Sequence, residues 1–525
     1  MRGLARSKTG MVTSPHVLAS QAGARVLAAG GTAIDAAVAM AAVLSVVYPH
    51  FCGLGGDAVW IIADRSGRRT CLMGIGAAAS NYPDFADQPI PTRGPLAALT
   101  SACAVHSWGT ALDYSAEHWG GSGQLPDLLA DAISLAENGF ALSPSQAFWL
   151  NFRAGDYANW PDFAAIFAPA GRMPRAGEHF AQPQLAATLR ELAHGGIAGF
   201  YQGPLAARIA AGLAEAGSPL IATDLAATRT QIADPVSLPY RGFELLAPPP
   251  PTQGVTTLAI MGVLERFNLS ATQLGSASHY HLLVEAVKQA FLDRKGIADP
   301  DFVAQPVDQW LSADILADKA AAIDPDCALD WPEPYQSADT VYFGATDAQG
   351  GSVSVLQSTY FDWGSGIVAG DTGIIWQNRG AAFSTLAGHP NVIAPGKRPF
   401  YTLNPGMALK NNQPSLLYGT QGADGQPQTL SVVLSGLIDF HLDPAQALAL
   451  PRFLLGRTFS DASDNLKLEE TVGAPVMADL ARRAHRLSPL PALSPLAGQA
   501  GVIAINQHGL LGAHDPRGDG AAIGL

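Results

Sequence analysis

The sequence SADTVYFGATDAQGG at positions 337–351 decides our interpretation of the whole chain. In the segment 341–346, apolar side chains alternate with other residues, and this period of two with β-branched and aromatic residues predicts a β-strand. A turn with two glycines leads into a second apolar run at 351–359, which predicts the returning strand. The stretch therefore predicts a β-hairpin that begins at Thr340.

The first residue of this hairpin carries the functional hypothesis. If the peptide bond between Asp339 and Thr340 is cut, Thr340 gains a free α-amine beside its own hydroxyl. An α-amine has a pKa of about 7.7–8.0, so it can accept the hydroxyl proton near neutral pH without a histidine. Because a threonine that opens a strand is usually only a β-former, this chemistry needs support from the rest of the chain.

Support comes from short motifs along nearly the whole chain. They are GMVTS at 10–14, GGTAIDAA at 30–37, GLGG at 53–56, PPPPTQGV at 248–255, HLLVEA at 281–286, PGKRP at 395–399 and DPRGDG at 515–520. Together with the segment around Thr340, these motifs resemble the γ-glutamyltranspeptidase family of self-cleaving N-terminal-nucleophile (Ntn) hydrolases, and they follow the family's order. The joint match is far more specific than any single motif.

The resemblance implies an α+β fold, a four-layer αββα sandwich of the Ntn-hydrolase type in which helices cover two antiparallel sheets. It also implies self-cleavage into a large subunit (1–339) and a small subunit (340–525). Both subunits are expected to contribute strands and to stay associated, as a heterodimer or a dimer of heterodimers. Local patterns further predict a buried helix at 33–47 and a single strand at 240–246.

The resemblance also assigns the catalytic residues. Thr340 is the expected nucleophile, and Ser358 on the return strand takes the position of a second hydroxyl, usually threonine in the family, that orients it. Gly422 and Ala423, in the loop GTQGADG at 419–425, take the places of the pair whose N–H groups stabilise the oxyanion. Without the resemblance, Ser358 would be an ordinary strand hydroxyl and 419–425 a glycine-rich loop.

The substrate pocket departs from the family pattern. Members that bind γ-glutamyl groups hold the substrate's α-carboxylate with an arginine, where this chain has Ile75, and its α-ammonium with an aspartate, where it has Ala382. Neither side chain can replace those contacts. The other pocket positions that differ from the γ-glutamyl-binding members are Tyr360, Arg379, Tyr401 and Thr402.

A pocket with a relocated cation and no acid for an ammonium group favours a small acyl group that has a carboxylate but no amine. This pattern resembles the oxamate amidohydrolase branch, whose members hydrolyse the C–N bond of oxamate to give oxalate and ammonia in the breakdown of purine-derived ureides. We expect a small-molecule amide as substrate, with Arg379 on its carboxylate and Tyr360, Tyr401 and Thr402 as hydroxyl donors. Arginines are commonly structural surface cations, and this alternative for Arg379 stays open.

Three other functions stay open. The chain could be a γ-glutamyltransferase or hydrolase for glutathione-type substrates, an acylase for glutaryl or cephalosporin side chains, or a non-catalytic binding protein. The presence of Thr340, Ser358 and the Gly422–Ala423 turn together argues against the last of these.

Composition argues against several classes of partner. The net charge of −13 over 525 residues disfavours binding to nucleic acids and anionic membranes. The apolar run at 33–47 contains Asp35 and is shorter than the about 20 residues that cross a bilayer. The basic start of the chain lacks an apolar core of signal-peptide length, and the four cysteines show no C-x-x-C spacing. We therefore predict a cytoplasmic protein without cofactor or metal.

Two motifs have simpler explanations than cofactor or metal binding. GIGAAA at 74–79 matches the dinucleotide fingerprint G-x-G-x-x-A, but the segment 81–83 (Asn-Tyr-Pro) breaks the helix that this fingerprint requires. His279 and His281 form an H-x-H pair at a helix start. Since no third ligand is evident, a helix-terminal or surface role is favoured over a metal site.

Overall fold

Two large antiparallel sheets lie face to face in the computed structural model, which describes residues 3–331, 340–457 and 463–525, without the side chains of residues 157 and 158. Strands are numbered in chain order. Sheet I contains, in spatial order, β19 (Ala521–Gly524), β2 (Met11–Ser14), β10 (Val341–Thr346), β11 (Ser352–Ser358), β3 (Asp57–Ala63), β4 (Arg69–Gly74) and β7 (Gln231–Ala233). Sheet II contains β1 (Ala5–Ser7), β18 (Gly509–His514), β17 (Ala500–Asn506), β13 (Gln413–Thr420), β12 (Gly406–Lys410), β9 (Phe243–Ala247) and β8 (Val236–Tyr240).

Two smaller sheets and the helices complete the fold. The smaller sheets are β5 (Phe140–Ala141) with β6 (His179–Phe180), and β14 (Phe453–Leu455), β15 (Leu466–Glu469) and β16 (Leu487–Leu490). The helices are α1 (Val17–Ala28), α2 (Ala33–Val47), α3 (Ala104–Trp119), α4 (Leu125–Asn138), α5 (Pro144–Phe152), α6 (Pro161–Phe167), α7 (Pro183–Tyr201), α8 (Pro204–Glu215), α9 (Ala222–Ala227), α10 (Gly254–Leu264), α11 (Ala277–Phe291), α12 (Val307–Trp310), α13 (Ala313–Ala321), α14 (Gln426–Ile438), α15 (Pro444–Ala449) and α16 (Ala474–Arg482). None of the helices in the described ranges has the length and apolar character needed to cross a membrane.

Three apolar cores define the order of the layers. The core between the sheets combines Met11 and Tyr342 of sheet I with Met407 and Ile503 of sheet II. On the outer face of sheet I a second core includes α2, whose residues are all buried, as its apolar run predicts. A third core lies between sheet II and helices α10, α11 and α14. The order is therefore helices, sheet, sheet, helices.

The predicted hairpin is present as β10 and β11. Val341 pairs with Gln357, so Thr340, which directly precedes β10, lies opposite Ser358 at the end of β11. Every residue of the two strands is buried, because helices cover one face of sheet I and sheet II covers the other. The hairpin thus fixes Thr340 at the end of a fully enclosed strand.

Both sheets combine strands from the two sides of the predicted cleavage site. In sheet I, β10 from the small subunit lies between β2 from the large subunit and its own partner β11. In sheet II, β12 pairs with β9 from the large subunit. Asp339 itself lies outside the described residues. Since each sheet is assembled from both predicted subunits, cutting the chain before Thr340 would leave the pairing intact.

The predicted single strand at 240–246 is wrong. The chain reverses at Arg241 and Gly242, whose φ values are 47° and 79°, so β8 and β9 form a hairpin there. An arginine in the left-handed region gives no turn signal in a sequence, and the apolar residues on both sides of it suggested one continuous strand.

Candidate active site

Thr340 and Ser358 form a buried pair of hydroxyls. Thr340 Oγ1 donates a hydrogen bond to Ser358 Oγ at 3.3 Å, and the N–H of Tyr360 donates to the same oxygen at 2.8 Å. Thr340 is 1% exposed and Ser358 is fully buried. The structure thus brings the two predicted hydroxyls into hydrogen-bond contact, and the orienting role of Ser358 stays a prediction.

The GLGG motif makes room for this pair. A Cβ atom at Gly56 would overlap the carbonyl oxygen of Ser358, and one at Gly55 would overlap that of Ile375. Only glycine allows such close approach of backbone segments. The motif thus positions the end of β11 and leads directly into Asp57, which pairs with Ser358 in the sheet.

Arg379 is held between two tyrosine rings. Its guanidinium carbon lies 3.7 Å from the centroid of the Tyr360 ring and 3.8 Å from that of the Tyr401 ring. Nη1 donates to Thr402 Oγ1 at 3.3 Å. Arg379 is fully buried, which excludes the alternative that it is a surface cation.

One edge of the Arg379 guanidinium is unpaired among the described residues. Within the described part of the chain, Nε and Nη2 are buried and have no hydrogen-bond partner. These two N–H groups lie side by side in a guanidinium and match the two oxygens of one carboxylate. A buried cation whose donors are unused is an unusual arrangement, and it indicates a place for an anionic ligand.

Both residues of the predicted oxyanion turn have a left-handed backbone. Gly422 and Ala423 both adopt positive φ, 119° and 44°, immediately before helix α14. Ala423 packs with Tyr360 in one small buried cluster, and Tyr360 is itself at φ 83°. Strained non-glycine residues cluster at functional sites. The two strained residues here link the oxyanion turn to the Arg379 site.

Gln253 connects the predicted oxyanion turn to the segment that contains Thr402. Its Nε2 donates to the carbonyl of Ala423 at 2.7 Å and to that of Thr402 at 2.8 Å. Its Oε1 accepts from Arg294 Nε at 3.3 Å, and Arg294 forms an ion pair with Asp424 in the turn. Gln253 lies in the predicted PPPPTQGV motif, but its role depends on contacts between distant segments.

The Tyr401 hydroxyl makes a different contact from the one predicted. It donates to Asp57 Oδ2 at 2.5 Å and is therefore not available as a donor to a substrate. Burial raises the pKa of Asp57 to about 6, against the effect of the Tyr401 hydrogen bond, and burial raises the pKa of Tyr360 to about 12. Asp57 escaped the sequence analysis because nothing in the sequence marks it as buried beside Tyr401. Its position directly after GLGG was the one available signal.

The two lost γ-glutamyl contacts are apolar in the structure. Ile75 is 3% exposed and packs in the core between the sheets, in the same cluster as Tyr401. Ala382 packs against the cluster that contains Tyr360. Neither position offers a group that could bind a carboxylate or an ammonium ion.

The H-x-H motif is buried, so the surface role is wrong, whereas the helix-terminal position is confirmed because α11 begins at Ala277. His281 lies near Glu285 and His485, with one ligand atom of each within 4.8 Å of the others. Glu285 already accepts from Lys288 Nζ at 2.7 Å and from the Leu329 N–H at 2.9 Å. These bonds give the carboxylate a structural role beside the segment 324–331.

Comparison with known proteins shows the family. Residues 19–525 match the family described as Gamma-glutamyltranspeptidase. The chain belongs to that family. It is 42% identical over 523 residues to the oxamate amidohydrolase proenzyme of Klebsiella pneumoniae, covering 99% of each chain. It is 39% identical over 525 residues to the glutathione hydrolase-like YwrD proenzyme of Bacillus subtilis, covering 98% of each.

A solved structure extends the comparison to the fold. The cephalosporin acylase of Bacillus halodurans superimposes with a TM-score of 0.92 at 33% identity, over 100% of this chain and 97% of the acylase. The predicted family and the predicted αββα fold of the Ntn-hydrolase type are thus confirmed. The chain is an Ntn-type enzyme that acts on amide bonds.

Proposed function

We propose that this chain cleaves itself between Asp339 and Thr340 and then hydrolyses oxamate to oxalate and ammonia. The observation that carries the proposal is the open edge of Arg379, a buried cation that Tyr360 and Ser358 connect to Thr340. The similarity to an oxamate amidohydrolase proenzyme supports the same substrate.

Self-cleavage uses the geometry around Thr340. Its hydroxyl, oriented by Ser358, attacks the carbonyl carbon of Asp339, and the acyl group moves from the Thr340 nitrogen to its oxygen. Water then hydrolyses this ester, which leaves a carboxylate on Asp339 and a free α-amine on Thr340. Two findings support this step: both relatives are named proenzymes, and both sheets hold strands from either side of the cut.

Turnover repeats the attack on a substrate. The α-amine of Thr340 takes the hydroxyl proton, and Oγ1 bonds to the amide carbon of oxamate. The N–H groups of Gly422 and Ala423 stabilise the oxyanion, the C–N bond breaks, and the α-ammonium returns its proton to the leaving ammonia. Water hydrolyses the oxalyl ester, which releases oxalate and restores Thr340.

The carboxylate of oxamate would pair with the Nε and Nη2 groups of Arg379, which have no partner among the described residues. Oxamate has two carbons, so its carboxylate is directly bonded to the carbon that Thr340 attacks. The cation that binds it must lie close to the nucleophile. A chain of contacts from Thr340 through Ser358 and Tyr360 to Arg379 supports this position for the cation. The Nε and Nη2 edge of Arg379 fits a carboxylate side-on.

Two other substrates have weaker support. A γ-glutamyl substrate carries an α-ammonium group, and Ile75 and Ala382 provide no polar contact for its amino-acid end. The similarity to a glutathione hydrolase-like proenzyme supports this alternative. A cephalosporin-type acyl group is favoured only by the fold similarity to an acylase, and folds do not determine substrates.

The test is ammonia release from oxamate, glutamine and glutaryl amide side by side, together with p-nitroaniline release from a γ-glutamyl anilide. We expect turnover of oxamate and little or none of the γ-glutamyl compounds. Activity confined to the γ-glutamyl compounds would refute the proposal in favour of the transferase or hydrolase alternative, and activity confined to glutaryl amide would favour the acylase.

We also propose that the subunit boundary lies before Thr340 and that the cleaved subunits associate as a heterodimer or a dimer of heterodimers. A cytoplasmic location and a role in purine breakdown are proposed as well. Denaturing gel electrophoresis and N-terminal sequencing test the subunit boundary: two bands are expected, with Thr340 as the first residue of the smaller one. A stable, active, uncut chain would refute it.

A further inference from the structure

We propose that Asp57 is a positioning residue for the substrate carboxylate. It anchors the hydroxyl of Tyr401, and Tyr401 in turn holds Arg379 with its Nε and Nη2 edge open. This inference rests on the proposed function, because it assumes that Arg379 binds a carboxylate.

Asp57 is a buried carboxylate fixed by hydrogen bonds. Oδ2 accepts from the Tyr401 hydroxyl at 2.5 Å, and Oδ1 accepts from the N–H groups of Cys103 at 2.7 Å and Gly76 at 3.0 Å. Asp57 is fully buried, and its contacts within the described residues include no ion pair. Gly76, whose motif suggested a dinucleotide site, instead supports Asp57, and a Cβ atom there would overlap the carbonyl of Ser101.

Tyr401 connects Asp57 to Arg379, because its hydroxyl contacts the first residue and its ring contacts the second. The tyrosine ring covers one face of the guanidinium at 3.8 Å, while Tyr360 covers the other face and Thr402 engages Nη1. Among the described residues, both faces and Nη1 are engaged, and the Nε and Nη2 edge is left without a partner. A phenol that donates to a carboxylate also becomes more electron-rich, which strengthens its interaction with a cation.

The ionised form of Asp57 is unfavourable for folding. Burial raises the pKa of its carboxyl group to about 6, above the usual value. Since the folded-state pKa is raised, the associated stability is present at low pH and is lost as the pH rises through about 6. A perturbed pKa beside a candidate site agrees with a functional role for Asp57, and the hydrogen bond to Tyr401 gives that role its geometry.

A purely electrostatic role for Asp57 predicts the opposite effect on binding. The charge of Asp57 would repel the carboxylate of a substrate, so its removal would strengthen substrate binding. A positioning role predicts that its removal weakens binding. The sign of the change in KM therefore separates the two roles.

The experiment compares Asp57→Asn, Tyr401→Phe and the double variant with the wild type. Tyr240→Phe is the matched control, since Tyr240 donates to Asp439 at 2.6 Å in a partly buried tyrosine–aspartate bond away from the site. We expect each single variant to raise the KM for oxamate by about five- to twentyfold while kcat changes less than about threefold. The double variant should raise KM no further than the single variant with the larger effect, because both substitutions remove the same contact.

Several outcomes would overturn the proposal. A lower KM in Asp57→Asn would indicate electrostatic repulsion, and additive effects in the double variant would mean that Asp57 does not act through Tyr401. An equal rise of KM in Tyr240→Phe would mean that loss of any buried tyrosine–aspartate bond produces the effect. Asp57→Asn keeps the size of the side chain, so it allows the test even if Tyr401→Phe fails to fold.

Binding of oxalate gives a readout independent of turnover. A ligand that binds the folded state raises Tm. We expect oxalate to raise the Tm of the wild type and of Tyr240→Phe but to raise that of Asp57→Asn much less. If oxalate stabilises the wild type while oxamate is not hydrolysed, the proposed function fails and the role of Asp57 stands. If oxalate stabilises the wild type and Asp57→Asn equally, the role of Asp57 fails.

A pH profile adds a second independent check. The titratable and charged groups that act on Asp57 in the described residues are Tyr401, Cys103, Tyr201 and Arg379. As the pH falls through about 6, Asp57 takes up a proton and Tyr401 loses its charged acceptor. We expect the KM of the wild type to rise below this pH and the KM of Asp57→Asn to stay flat. A profile that is the same in both would contradict the proposal.

Discussion

The protein contains two arginine–tyrosine–aspartate groups of opposite design. In the hairpin of β8 and β9, Arg241 lies over the ring of Tyr240 at 5.3 Å, and both donate to Asp439, at 3.0 and 2.6 Å. In the candidate site, Arg379 lies over the ring of Tyr401 at 3.8 Å, but only the tyrosine donates to Asp57.

The difference lies in what remains for a ligand. The other Arg241 nitrogens donate to the carbonyls of Glu265 and Leu264, so this guanidinium is fully used within the protein. Arg379 keeps Nε and Nη2 without a partner among the described residues. The same three residue types thus form a group with a fully paired guanidinium at one place and a group with an unpaired guanidinium edge at the other, where we propose that a carboxylate binds. The two groups differ in how many of the arginine N–H groups have a hydrogen-bond partner, a difference that residue type alone does not reveal.

The largest expected effect concerns Thr340, the proposed nucleophile of the site that contains Arg379. Thr340→Ala should abolish both self-cleavage and turnover, because no hydroxyl remains to attack either carbonyl. Thr340→Ser should keep part of each activity. Gel electrophoresis and ammonia release measure the two steps. Turnover by Thr340→Ala at the wild-type rate would place the nucleophile elsewhere and remove the reason for an open cation at this position.

The next effect compares the two arginines directly. Arg379→Ala should lower kcat/KM for oxamate by about one to two orders of magnitude, because a charged hydrogen bond contributes about 1.5–3 kcal/mol. Arg241→Ala should change kcat/KM by less than about twofold but lower Tm. Steady-state kinetics and thermal unfolding of both variants provide the check. Equal losses of activity would mean that the two groups do not differ in function.

A smaller effect is expected at the hydroxyl that orients Thr340. Ser358→Ala removes one acceptor but leaves the nucleophile, so both self-cleavage and turnover should slow by about tenfold or less. Time courses on gels and single-turnover kinetics measure the two rates. If Ser358→Ala slowed neither reaction, the 3.3 Å bond to Thr340 would have no catalytic role.

Much of the fold and of the site could be predicted from the sequence. The alternation after Thr340 predicted the hairpin, and the apolar run at 33–47 predicted a helix whose ends agree with the structure. The motif resemblance brought Thr340, Ser358, Ala423 and Arg379 into one hypothesis, and the structure connects them through short contacts. Local periodicity and shared motifs carry this kind of information well.

The remaining features depend on contacts between distant segments. Asp57 and Tyr401 are 344 positions apart, and Gln253 and Ala423 are 170 apart, so no local pattern marks either bond. Burial, which raises the pKa of Asp57 and leaves Arg379 without solvent, is also a property of the assembled layers. The Tyr401 hydroxyl was assigned to the substrate for this reason, although Asp57 occupies it.

A crystal structure of the processed enzyme with oxalate would show whether Arg379 binds the substrate carboxylate. We expect one carboxylate side-on to Arg379, with Nε and Nη2 each about 2.7–2.9 Å from an oxygen. We also expect the second carboxylate at the hydroxyl of Thr340, within reach of the Ala423 N–H. Oxalate bound away from Arg379, or a bound oxalate with the Nε and Nη2 edge still empty, would contradict this role of Arg379.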